Sequence, residues 1–333
     1  MIHKHRLLQP KGTRRFVHGI DLLVTSMFTV VSMTISMIDS LAGMRRLAQA
    51  PPGEWDAAVR ELWAPMADMH SFIPGNLDLT QVHANNFGFG PGASSDLILD
   101  TLHTLESADA WGRIERALQD GLERLSTAHP GMDMPDLRVL LILGDPGNQH
   151  FMDELRGLSA LGGISGFITI TVWPTPEVLS RLEGIALHEV HHNVRYSPGG
   201  VPWDPRTVTV GEHVVAEGLA DLFAAEASGT QGFTHFVAEE TRANNDVLER
   251  VVEGLEVTGM QHFSAWLLGD ASARLFGVTP VGLPTGAGYA AGVRIVEAYL
   301  SQTGRSAADC VTLPAADILA VALPQLGLTT TAH

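Results

Sequence analysis

One cysteine, Cys310, is all that this 333-residue chain contains, so no disulfide can close within it. Such cysteine usage suits a reducing compartment and points to the cytoplasm, with Cys310 as a packing residue. Positive charge is scarce too: 21 Lys and Arg stand against 37 Asp and Glu, for a formal net charge of -16. That balance argues against nucleic acid and against anionic membrane surfaces as partners. Repeats and low-complexity tracts are missing. Gly88, Gly90 and Gly92 invite a phosphate-loop reading, but no lysine or hydroxyl residue follows in Walker spacing.

A long unbroken apolar run is also lacking. The nearest approach is Leu22 to Ile38, behind a basic head that includes Lys4, Arg6, Lys11, Arg14 and Arg15. The run is salted with Thr25, Ser26, Thr29, Ser32, Thr34 and Ser36, falls short of the ~20 residues of a span and has no small-residue cleavage site. From Phe28 to Ile38 it alternates apolar with small polar residues, as a half-buried strand does. A basic tail over residues 1–26 followed by a first strand is therefore expected, with membrane anchoring or export through residues 1–38 as the alternative.

What the chain does have is enough apolar content, 45% of residues, to bury a large core, and one dense cluster of chemistry. His188-Glu189-Val190-His191-His192 reads H-E-x-x-H. Thr175-Pro176-Glu177 supplies a cap, a first-turn proline and an acid at the positive end of a helix, which predicts one helix from there through Arg195. On a helix, positions i and i+4 lie about 40° apart in angle and roughly 6 Å apart along the axis, so His188 and His192 can converge on one ion. Glu189 then stands beside that ion, where a carboxylate can act as general base. The other reading of the same five residues is a charged helix face.

A catalytic zinc site wants a third protein ligand. The segment from Glu212 to Phe223 reads as a helix with Val214, Val215, Leu219, Leu222 and Phe223 on its apolar face, and it carries Glu217 and Asp221 at i and i+4. Glu217 is the expected third ligand. Asp221 would accept a hydrogen bond from the second nitrogen of a ligating histidine. His213, one turn before Glu217, is the rival ligand, or a group that bonds a substrate or a developing oxyanion. The alternative for the whole segment is a solvated acidic face.

The H-E-x-x-H helix followed by Glu217-Gly218-Leu219-Ala220-Asp221 resembles the gluzincin arrangement of metallopeptidases. His188 to Arg195 together with Glu217 to Asp221 is similar, more closely, to a bacterial family of predicted zinc-dependent proteases of the YjaZ type. The likeness extends to Phe87-Gly88-Phe89-Gly90-Pro91-Gly92 and to Tyr289-Ala290-Ala291-Gly292, covering most of residues 30–322. It implies peptide-bond hydrolysis with one Zn2+ ion and a peptide or protein substrate. Residues 193–216 separate His192 from Glu217, more than is usual in gluzincins, so Tyr196 to Val210 should form an extra loop at the rim. Gly162 to Trp173 reads as a strand. In zincin-like enzymes such a strand edges the cleft and can receive a peptide by main-chain hydrogen bonds; an interior strand is the equal alternative.

The expected fold class is α+β: a small N-terminal sheet with an edge strand over the cleft, and a mainly helical C-terminal lobe. The boundaries expected are the tail 1–26, an α/β lobe 27–175, a helical zinc-binding lobe 176–325 and a tail 326–333. Residues 40–70 read as two helices broken at Pro51-Pro52-Gly53, 71–94 as loop, 95–127 as helix, Leu137–Leu143 as a buried strand and 233–270 as helical. Pro280 to Gly288 reads as a loop, 289–303 as a long helix and Leu313-Pro314 to Leu323 as a short closing one. Zn2+ on His188, His192 and Glu217 with Glu189 as base makes a peptidase; Tyr289, His213, Tyr196 and His83, in that order, are candidates to steady the oxyanion. A zinc hydrolase of a small amide or modified peptide, or a non-catalytic zinc-containing binding protein, are the other readings.

Overall fold

Runs of β-branched and leucine residues build the centre of the sheet. The computed structural model describes residues 33–51, 53–71, 77–229 and 234–329. Within them four strands, β1 (Ile35–Met37), β2 (Leu137–Leu143), β3 (Leu158–Ile164) and β4 (Phe167–Val172), lie in the order β1-β2-β4-β3. The pairs β1–β2 and β2–β4 are parallel, and β3 runs antiparallel to β4. Strand β2 is apolar at every position but one because it has neighbours on both edges and helices packed about it. Its one exposed residue, Arg138, pairs with Asp68 at 3.0 Å. The basic tail, most of the apolar run before Ile35 and residues 330–333 lie outside the described residues.

The stretch expected as a single strand from Gly162 to Trp173 is divided. Its first residues finish β3, Gly166 turns the chain with φ 88°, and the remainder is β4. So β4 is interior, and β3 takes the border of the sheet opposite β1. The hairpin is irregular: Leu161 faces Thr169 and Ile164 faces Phe167, so Gly162 and Gly163 together oppose one residue in a β-bulge.

Helices α1 (Ser40–Gln49), α2 (Trp55–Trp63), α3 (Leu79–Asn85), α4 (Ser95–Ser107) and α5 (Ala110–Ala128) come before β2. Helix α3 falls in the part read as loop, started by Asp78, whose side chain accepts from the Thr80 N–H. The helix expected over 95–127 breaks where Asp109 takes φ 51°. The helix expected from Thr175 to Arg195 is two: α6 (Pro176–Leu179), capped by Thr175, and α7 (Leu182–Arg195). The break is stabilised by Ser180, whose hydroxyl donates to the Glu177 carbonyl. Arg113 then spans the gap, donating to the Leu179 carbonyl and clasping Glu183 with two short bonds.

The rest is mainly helical: α8 (Val210–Ser228), α9 (Glu239–Ala243), α10 (Asn245–Glu253), α11 (Asp270–Leu275), α12 (Ala287–Thr303) and α13 (Ala315–Gln325). The 233–270 region is therefore short helices and single turns. The protein is α+β with a small mixed sheet and a helical C-terminal part. Cys310 is buried, and burial pushes its thiol up to about 11, as suits a packing residue.

Three helices meet at the heart of the C-terminal part. Helix α7 is buried from Gly184 to Arg195, α8 packs along it, and α12 packs on α8. The α8–α12 crossing is close because glycines line it. A Cβ on Gly292 would stand 2.2 Å from the Val214 carbonyl oxygen, and one on Gly218 2.2 Å from the Gly292 carbonyl oxygen. Gly292→Ala should thus force the helices apart, cost about 1–3 kcal/mol and lower the thermal midpoint by several degrees in circular dichroism. An unchanged midpoint would disprove the tight crossing.

Candidate metal centre

Two helices bring three ligand atoms to one point. His188 Nε2 lies 3.0 Å from Glu217 Oε2, His192 Nε2 lies 3.1 Å from the same oxygen, and the two imidazole nitrogens are 3.0 Å apart. Among the described residues, this buried trio is the group whose donor atoms are close enough to share a metal ion. Bonds of ~2 Å around a tetrahedral ion put its ligand atoms roughly 3.3 Å apart, so the trio is nearly the right size. The donor chemistry fits as well. His188 Nδ1 donates to Asp221 Oδ1 at 3.1 Å, which leaves the Nε2 lone pair aimed at the other two ligand atoms. Ligand atoms converging in this way could hold a metal ion.

The carboxylates make that point electronegative. Burial opposes a charge on His188, yet its bonds to Asp221 and Glu217 outweigh the burial and push its pKa up to about 10. Burial likewise works against Glu217, but His192 and His188 hold its carboxyl far below the usual range. Glu189, buried beside them, is raised by burial in spite of the pull of both histidines.

Glu189 is not one of the converging ligands; it is pressed against the bulge of β3. A Cβ on Gly162 would meet Glu189 Oε2 at 2.8 Å and the Glu189 carbonyl at 2.4 Å, so only glycine lets the strand approach this closely. The hairpin is pinned there by Asn193, which follows the motif on α7. Its Nδ2 donates to the carbonyls of Gly162, Ile164 and Phe167 at 2.8–3.0 Å, and its Oδ1 accepts from the Gly166 N–H. Sequence reasoning passed over Asn193, although a buried amide next to the motif was the available signal.

A cavity of about 490 Å³ opens onto the cluster. Glu189, His192, Glu217, His213 and Tyr289 reach it, as do Ser159 to Ile164 of β3. Apolar side chains make much of the remaining wall, among them Phe87, Leu155, Trp203, Phe263 and Leu268. Trp203 and Pro205, from the segment between α7 and α8, also line it. Phe87 reaches the wall with a left-handed φ of 60°, stacked on His150 and Phe151.

The other sequence candidates separate. His213 is 7% exposed, its Nε2 has no hydrogen-bond partner, and burial lowers its pKa to about 4, so it is a neutral imidazole facing the cavity outside the ligand trio. Tyr289, in the first turn of α12, is raised well above its usual pKa, by burial first and then by Glu217, Glu189 and Asp221 around it. Tyr196 donates its hydroxyl to Glu212 at 3.2 Å. His83 does not serve the cavity: Nδ1 accepts from Trp63 Nε1 and Nε2 donates to the Phe89 carbonyl, both at 3.0 Å. It holds the Phe87–Gly90 segment in place instead, against Gly88, whose Cβ would fall 2.2 Å from the imidazole.

Metal analysis of the purified chain should return one bound ion, and Glu217→Ala should lose most of it. Asp221→Asn should weaken binding about 10–100-fold by loosening His188. Full retention of metal in Glu217→Ala would transfer the third-ligand role to His213.

Residues 114–320 match the family model described as "Predicted Zn-dependent protease (DUF2268)". The uncharacterized protein YjfC of Bacillus subtilis (strain 168) is 31% identical over 226 residues, which span 67% of this chain and 71% of that protein. No solved structure matches. With a buried trio that could hold a metal ion inside the matched region, the chain belongs to this family of predicted Zn-dependent proteases.

Proposed function

We propose that the protein is a zinc-dependent, gluzincin-like metallopeptidase that hydrolyses peptide bonds of polypeptide substrates. One observation carries the reading: Glu189 is buried at the cavity beside three converging ligands and is not one of them. A structural ion needs no such neighbour, whereas hydrolysis needs a base next to the ion. His188, His192 and Glu217 would hold zinc, which supplies acidification of a water molecule and polarisation of the scissile carbonyl.

The protein groups do the rest. Glu189, its carboxyl raised by burial, takes a proton from the attacking water and passes it to the leaving amine. Asp221 keeps His188 in the Nδ1–H form. Tyr289, a neutral phenol, and His213, a neutral imidazole with an unpartnered Nε2, are the groups suited to steady the developing oxyanion. The cavity's apolar walls exclude water and so strengthen each of these interactions.

Support for an extended substrate comes from the mouth of the cavity. Leu161 on β3, Met260 and Phe276 are 38–55% exposed and all three line it. Exposed large apolar side chains grouped at one opening favour a ligand with apolar side chains, and β3, bordering the sheet, has main-chain groups to offer it.

Glu189→Gln should keep its zinc while cleavage of denatured protein falls by several orders of magnitude; undiminished turnover would refute the assignment. Phe276→Ser and Leu161→Ser should raise KM for peptides with bulky apolar residues while leaving kcat nearly unchanged. Equal KM values for apolar and polar peptides would rule out the rim as a recognition surface. Cleavage of short blocked amides in preference to polypeptide would favour a small-substrate hydrolase.

A further inference from the structure

We propose that Tyr196 is a positioning residue for His192, fixing the orientation of that imidazole by stacking; the inference rests on the metal-centre reading above. A histidine that ligates metal through one nitrogen is ordinarily held by a hydrogen bond from the other. His188 obeys this, through Asp221. His192 does not, for its Nδ1 is sealed from solvent and has no hydrogen-bond partner. Something else must fix its ring.

Tyr196 lies one helical turn after His192, where i and i+4 side chains meet. The two rings are within 8° of parallel with centroids 6.4 Å apart, in the range of an offset stack. The guanidinium carbon of Arg195 stands 6.0 Å from the centre of the tyrosine ring. At its far end the ring is tethered, since the hydroxyl donates to Glu212 Oε1.

Glu212 is itself immobile. Arg195 Nε donates to the same oxygen at 2.8 Å, and the Ala315 N–H donates to Oε2 at 3.2 Å. Arg195, fully buried, also donates through Nη1 to the Val311 carbonyl at 3.0 Å. The single hydroxyl proton of Tyr196 is thus committed to a buried carboxylate, and the flat face of the ring is what reaches the ligand. The tether leads from α13 through Glu212 and Tyr196 to the second histidine of the motif.

The test compares Tyr196→Leu, which removes the flat face, with Tyr196→Phe, which keeps it. The readouts are zinc affinity by competition with a chromophoric chelator and the visible spectrum of the cobalt-substituted full chain. Tyr196→Leu should bind zinc about 10–100-fold more weakly and shift the cobalt bands. Tyr196→Phe should restore both to near wild type. If Tyr196→Leu does not fold, Tyr196→Met, which fills the volume without a ring, carries the same expectation. A wild type that binds zinc and a ring-less variant that matches it in affinity and spectrum would overturn the stacking role alone. So would a Tyr196→Phe variant that loses zinc affinity and shifts the cobalt bands as far as Tyr196→Leu does, since the hydroxyl tether and not the ring would then hold His192. A wild type that binds no zinc would overturn the metal centre and this inference together.

Discussion

Everything distinctive in the C-terminal part follows from one electrostatic constraint: two imidazoles and two carboxylates are buried where helices α7 and α8 cross. Buried ionisable groups are tolerated only when each has a partner. Here the partners are one another, Asp221 for His188 and Glu217 for both histidines, at 3.0–3.1 Å. His188 Nε2 and His192 Nε2 lie 3.0 Å from each other and both approach the same Glu217 oxygen, an arrangement that could also take a metal ion. The crossing geometry is therefore held from outside, by the glycine-lined contact of α8 with α12 and by the bulged hairpin against α7. Apolar packing adds the rigidity that a few polar contacts alone do not supply.

The sheet's contribution is to bring a strand into contact with the same helix. Bulges bend a strand locally, and the one at Gly162–Gly163 coincides with the place where β3 meets Glu189. Asn193 then spends all its polar atoms on that hairpin. One helix thus carries ligands on one side and the anchor of the edge strand on another, which couples the position of the strand to that of the carboxylate. A substrate laid along β3 would be registered against Glu189 by that coupling.

Legibility in the sequence followed the range of each interaction. His188, Glu189 and His192 were readable because their geometry is set within one helical turn. Glu217 and Asp221 were readable as a second i, i+4 pair, although nothing local states that α8 crosses α7 at that height. Strand β2 was legible at Leu137–Leu143 because, Arg138 apart, a strand with neighbours on both edges is apolar. The hairpin was not legible: Gly162 to Trp173 looked like one strand because the turn at Gly166 depends on Asn193, distant in sequence. His83 looked like a site residue for a similar reason, its partners Trp63 and Phe89 being fixed only by the tertiary fold. The break between α6 and α7 depends on Arg113, on another helix altogether.

The segment between α7 and α8 shows how a local signal can be redirected by such distant partners. Thr209 and Glu212 have the spacing of a capping box, in which the acid would reach back to the cap residue. Thr209 does its half, accepting from the Glu212 N–H at 2.9 Å. The Glu212 carboxylate turns away and takes Arg195, Tyr196 and the Ala315 N–H instead. Hence the start of α8 is tied not to its own first turn but to the end of α7 and the start of α13. The loop of residues 197–209 lines the cavity with Trp203 and Pro205, while the Arg195–Glu212 ion pair at 2.7 Å fastens the end of α7 directly to the start of α8, so the spacing of His192 and Glu217 does not rest on the loop alone.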